Sequence, residues 1–87
     1  MTRHEEIRTT DINLAASIMT ATNRRPTHIT AGLELVEFTF PADETAKAVT
    51  LEYAAGNLMQ EVRRLAANRS WLYRQVRSVA SDRGGAE

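Results

Sequence analysis

LMQEVRRLAANRSWLYRQVRSV, residues 58–79, is the longest segment of this chain with one clear periodicity. Leu58, Val62, Leu65, Leu72, Val76 and Val79 recur at alternating steps of four and three, and Arg69 occupies the slot that completes the series. Such spacing predicts a helix with a core-facing stripe. At about 100° per residue, Arg63, Arg74 and Arg77 fall on the opposite side, with Ala67 and Ser70 filling the row between them. One helix therefore carries both a share of the core and a basic outer ridge.

Working back toward the N-terminus, Gly56 is placed to supply a left-handed closing residue for a preceding helix, which Asp43 or a neighbour caps and which runs to about Ala55. Ala42, Ala46, Val49 and Tyr53 form its inner line, and Asp43 and Glu44 in its first turn complement the helix dipole. The connection to the long helix is short, which predicts that the two pack as a tight helical hairpin. Ahead of Pro41 the chemistry turns to β-branched and aromatic residues, with Ala31 and Gly32 between two extended runs. A β-hairpin is expected, one strand over about Thr27–Thr30 and the other over about Glu34–Phe40. Val36, Phe38 and Phe40 share its inner face, and Glu37 and Thr39 take the other. Leu33 and Leu35 are out of phase with that face, so either a bulge shifts the register or both leucines point away from the helices. Before the hairpin, Thr10 or Asp11 caps a first helix through Leu14 and Ile18 to about Thr22, which Asn23, Arg24, Arg25 and Pro26 end. Residues 1–8 read as a flexible arm, 9–79 as one compact domain and 80–87 as a flexible tail. The fold class is α+β, in the order α-β-β-α-α: an antiparallel hairpin covered by three helices, the C-terminal one longest.

The order of elements resembles that of a small family of phage- and prophage-encoded domains of unknown function. Asp11, Leu14, Ala15 and Ala16 carry the likeness in a Thr-Asp-x-x-Leu-Ala-Ala start, Phe38 and Phe40 in a Phe-x-Phe strand end, and Tyr53, Gly56, Asn57 and Leu58 in a Tyr-x-x-Gly-Asn-Leu junction. It spans about residues 9–79 and departs from the family pattern after the hairpin turn, at Leu33 and Glu34. The resemblance implies a helix, hairpin, helix, helix order and a viral or mobile-element origin. These positions are structural signals, so no active site comes with them.

With 87 residues, 43% of them hydrophobic and 25% charged, the chain has room for one core and the composition of an ordered domain. Cysteine is absent, which excludes a disulfide scaffold, a thiolate nucleophile and a cysteine-rich zinc site. No apolar run approaches the roughly 18 residues of a membrane helix, and the start MTRHEEIRTT lacks the apolar core of a secretion signal. A cytoplasmic protein with no membrane contact is expected. Eleven basic residues balance eleven acidic ones, but unevenly. Glu34, Glu37, Asp43, Glu44 and Glu52 face only Lys47 across residues 34–52, while residues 57–83 hold six arginines against Glu61 and Asp82. Such asymmetry points to a charged partner unless the two regions face each other in the fold.

The inventory for catalysis is poor. His4 and His28 have no acid or nucleophile at local spacing, Gly32 and Gly56 are each explained by a turn or cap, and no metal-ligand spacing or phosphate loop occurs. The expectation is a non-enzymatic module with no cofactor and no metal. Arg63, Arg74 and Arg77 span about 21 Å of one helix face, enough to track several phosphates. The same three residues also suit a merely solvated face. Trp71 lies off the core stripe with Arg64 nearly in line, a composition typical of binding hot spots, or else it packs beneath the hairpin or the first helix. Arg69 within the stripe snorkels, pairs with an acid of the second helix, or marks a seam between two copies.

The expected contact surface combines Arg63, Arg64, Trp71, Arg74 and Arg77 with either Glu34 and Glu37 or an open strand edge. The reading is a phage or prophage interaction module that binds a host protein complex, antiviral defence included, to inhibit or redirect it. It acts as a monomer, or as a homodimer through the strand edge if Leu33 and Leu35 face outward. The alternative is a nucleic-acid-binding accessory protein using the arginine ridge.

Overall fold

The computed structural model describes residues 5–84, with side chains through 79. Six elements follow one another: β1 (Glu6–Thr9), α1 (Ile12–Thr22), β2 (His28–Ala31), β3 (Val36–Pro41), α2 (Glu44–Ala55) and α3 (Val62–Gly84). The class is α+β with the C-terminal helix longest. The sheet, however, has three antiparallel strands in the order β1-β3-β2, one more than the expected hairpin.

The additional strand corrects the reading of residues 1–8 as an arm. Residues 1–4 lie outside the described residues, but Ile7 pairs with Phe40 and Thr9 with Phe38 along the free side of β3. Ile7 is the single aliphatic residue of this strand, so no periodicity announces it. What recruits it is the unpaired edge of β3 and the core beneath that strand. Glu5 strengthens the attachment, its carbonyl accepting from the Ala42 amide at 3.0 Å and its carboxylate meeting Lys47 Nζ at 2.8 Å. That hydrogen bond holds the Glu5 carboxyl below its ordinary range and the Lys47 ammonium above its own.

The hairpin is offset from its expected limits. Ala31 pairs with Val36, and the Gly32 amide donates to the Leu35 carbonyl at 2.8 Å, so residues 32–35 form the turn. Leu33 and Leu35 therefore leave the strand altogether, 94% and 62% exposed at the hairpin tip. Pro41 ends β3 as its last paired residue.

Helix limits follow local chemistry. Asp11 caps α1 by accepting from the amides of Asn13 and Leu14, and Asn23 closes it in the left-handed conformation at φ 57°. Asp43 accepts from the Ala46 amide to start α2, and Gly56 at φ 77° ends it. α3 begins at Val62, four residues later than its apolar pattern suggests, because the Glu61 carboxylate accepts from the amides of Arg63 and Arg64 at 2.7 and 3.2 Å. Its backbone continues to Gly84, correcting the tail expected from residue 80; no helix breaker intervenes before the Gly84-Gly85 pair. Residues 85–87 lie outside the described residues.

Phe38, Phe40, Ile18 and Leu72 are the largest fully buried side chains, joined by Ala15, Ala16, Met19, Ala46 and Val49. Ile7, Ile29 and Val36 pack against them from the sheet, so the helices cover one face of it only. α1 is the central helix, lying against both α2 and α3. The expected tight hairpin of α2 with α3 is therefore corrected. The connector passes over α1 instead, anchored where Gln60 Nε2 donates to the Ser17 carbonyl at 2.8 Å. The small side chains of α1 in its centre, Ala15, Ala16 and Ser17, permit this close crossing on top of the sheet contact.

Candidate functional site

α3 sits on α1 in a rotation that its apolar stripe does not predict. Leu72 is fully buried and Leu65, Asn68, Trp71, Gln75 and Val76 are half-buried, whereas Val62 is 75% exposed and Arg69 is exposed. The buried line is turned by roughly 50° toward Trp71 relative to the sequence stripe, at about 100° per residue. Three polar contacts to the C-terminal turn of α1 hold that rotation. Arg64 Nη2 donates to the Thr20 carbonyl at 2.7 Å and to Asn23 Oδ1, and Asn68 Nδ2 donates to Thr20 Oγ1 at 2.9 Å. Arg64 thus covers the negative end of the α1 dipole.

Trp71 is both core and contact surface. One side of the indole packs against the core cluster, and the Arg25 guanidinium lies over the ring 4.5 Å from its centroid. Arg25 and its neighbour Arg24 come from the turn that links α1 to β2, and with Arg64 they border one recess beside Asn68. Arg63, Arg74 and Arg77 project from the adjoining outer line of α3, exposed. Their guanidinium groups make no ion pair among the described residues. Arg24 pairs with Asp43 at 3.5 Å across an exposed flank.

The expected site residues consequently divide. Arg63, Arg64, Trp71, Arg74 and Arg77 form one surface on α3. Glu37 instead lies on the uncovered face of the sheet with Glu6, Arg8 and His28, and Glu34 is in the hairpin turn. The structure does not bring these two acids to the arginines. Arg69, for its part, pairs with no acid of α2; it borders a groove with Tyr53, Leu58 and Leu65.

No family model, curated protein or solved structure matches the chain. The site must be read from its own chemistry.

Arg24 and Arg25 are the residues that sequence reasoning passed over. Asn-Arg-Arg-Pro signals the end of a helix, and the turn it forms presents two consecutive exposed cations. With them the basic surface is two elements wide, α3 and the α1–β2 turn. A further concentration of titratable groups lies on the uncovered sheet face, where Arg8 is paired with Glu6 at 3.1 Å. Among the described residues no helix is long and apolar enough to cross a membrane.

Proposed function

We propose that this protein is a non-enzymatic interaction module whose arginine surface on α3 docks onto an acidic surface of a larger protein. The observation that carries this reading is the line Arg63, Arg74 and Arg77, exposed on a rigid helix and without acidic partners among the described residues. Arg24, Arg25 and half-buried Trp71 extend it on one side. Arginine and tryptophan supply directional hydrogen bonding and apolar contact at little cost in ordering, which suits a docking surface. Glu34, Glu37, Glu44 and Glu52 lie on the hairpin turn, the sheet and α2, while the nearest described acid, Glu61, is engaged in capping α3, so the exposed line of Arg63, Arg74 and Arg77 presents a basic side to its partner.

The likeness to phage- and prophage-encoded domains supports placing that partner in a host cell's cytoplasm, with antiviral defence complexes as the first class to test. In this reading the module inhibits or redirects the complex by occupying it. A second reading, a nucleic-acid-binding accessory protein, is favoured by the doubling of the ridge by Arg24 and Arg25, which broadens it toward a phosphate-tracking surface.

The test is capture by the tagged full-length protein from host lysate treated with nuclease, run beside an Arg63→Glu/Arg74→Glu/Arg77→Glu variant. A stoichiometric protein retained by the parent and lost by the variant is the expected result. Retention that vanishes with nuclease, and falls steeply with added salt, replaces the first reading with the second.

A further inference from the structure

Asn23, Arg24, Arg25, Arg64 and Asn68 border a recess of about 250 Å³ where the C-terminus of α1 meets α3. With one exception, the groups that hold these guanidiniums in place are neutral. Arg64 commits one terminal nitrogen to the Thr20 carbonyl and Asn23 Oδ1, which leaves three of its five N–H donors uncommitted. Arg25 rests on the Trp71 ring, a contact that orients a cation without cancelling its charge. Only Arg24 meets an acid, Asp43, across a solvent-exposed gap of 3.5 Å. The turn presenting Arg24 and Arg25 is itself fixed, between left-handed Asn23 and Pro26, with the Arg24 amide donating to Thr22 Oγ1 at 3.3 Å.

We propose that this recess binds a phosphoryl group. Arg24, Arg25 and Arg64 all line it, Arg25 steadied by Trp71 and Arg64 by α1, and because Asn23 Oδ1 is taken by Arg64, the amide NH₂ of Asn23 remains a donor. That set offers more donors than the two oxygens of a carboxylate accept and suits a tetrahedral oxyanion. Orientation before binding removes part of the ordering cost that flexible arginines otherwise exact. Of the α1 carbonyls at this end, which repel an anion, that of Thr20 is covered by Arg64 and that of Met19 accepts from the Asn23 amide. The recess adjoins the line of Arg63, Arg74 and Arg77 and shares Arg24 and Arg25 with the flank of the docking surface proposed above, but phosphoryl binding in it does not require that protein partner.

Trp71 is the only tryptophan, so its fluorescence reports directly on the Arg25 contact. Titration of the full-length protein with sodium phosphate at constant ionic strength is expected to shift its emission saturably. Arg24→Ala/Arg25→Ala should weaken binding about tenfold or more, while Arg63→Ala/Arg77→Ala binds as the parent does. Removing Arg25 alters the fluorophore's surroundings, so binding is also followed by phosphorus NMR line broadening, with circular dichroism to verify each fold. Adenosine monophosphate and a DNA duplex lacking terminal phosphates then identify the source. Tighter binding of the mononucleotide assigns a terminal phosphoryl group, and tighter binding of the duplex that Arg24→Ala/Arg25→Ala loses and Arg63→Ala/Arg77→Ala keeps assigns a backbone phosphate; both support the site, whereas duplex binding lost only by Arg63→Ala/Arg77→Ala counts against it. An equal response to acetate at the same ionic strength, or parental binding by Arg24→Ala/Arg25→Ala, overturns it.

Discussion

The Tyr53 hydroxyl donates to Asp11 Oδ2 at 2.8 Å, while Oδ1 of the same carboxylate accepts from the Asn13 and Leu14 amides at 2.9 and 3.3 Å. One side chain thereby starts α1 and ties it to the last turn of α2. The hydrogen bond to Asp11, with burial and the carboxylate's charge adding to it, raises the Tyr53 phenol above its ordinary pKa. A raised folded pKa means stability that is whole below the unfolded phenol value, about 10, and is lost as pH rises through the folded one. Tyr53→Phe should cost about 1 kcal/mol near neutrality, and urea denaturation above about pH 10 should show a shallower alkaline decline than the parent.

Asp11→Ala removes the cap and the tyrosine link together, and a loss of about 2 kcal/mol is expected from urea midpoints. Asp11→Asn keeps an oxygen for the α1 amides and should recover roughly half of that loss.

β1 contributes to the core through one side chain. Ile7→Ala should destabilise the domain by about 1–2 kcal/mol, less than a fully buried isoleucine because Ile7 is half-buried. If residues 5–9 were a dispensable arm, the substitution would leave the urea midpoint unchanged.

The rotation of α3 is tested by two substitutions that the apolar stripe treats as equivalent. Leu72→Ala, at a fully buried position, should cost about 3 kcal/mol, whereas Val62→Ala, 75% exposed, should stay within about 0.5 kcal/mol. Comparable losses at the two sites would restore the stripe as the buried line.

Arg64→Ala strips the α1 C-terminus of its side-chain donor and should cost about 1–2 kcal/mol in urea midpoint, with Arg63→Ala near neutral. That difference separates the arginine that is structural from the one that is free to meet a partner.

These contrasts also mark how far residue patterns carried. Asp11, Asp43 and Gly56 were legible because capping is settled within three or four residues, and Phe38 and Phe40 because strand alternation is strict. β1 was not, since four residues with one aliphatic show no period and the strand exists only because β3 offers an edge. The rotation of α3 was hidden for a different reason. Trp71 and Asn68 displace Val62 and Arg69 from the inner face through contacts with Arg25 and Thr20, residues more than 40 positions away in the chain. The packing of α2 apart from α3 likewise turns on Gln60 reaching Ser17. For the site, the α3 arginines were found by helical spacing, but their junction with Arg24 and Arg25 is tertiary, and no periodicity spans two elements so far apart.

The position of β3 between β1 and β2 bears on how the chain is made. Two of the three strands are synthesised before the central one, and α1 lies between them in the sequence. Until residues 36–41 leave the ribosome, β1 and β2 have no ladder to join and Ile18 and Met19 have no phenylalanine to cover them. Until then the apolar residues of β1, α1 and β2 lack their β3 partners and stay open to chaperones.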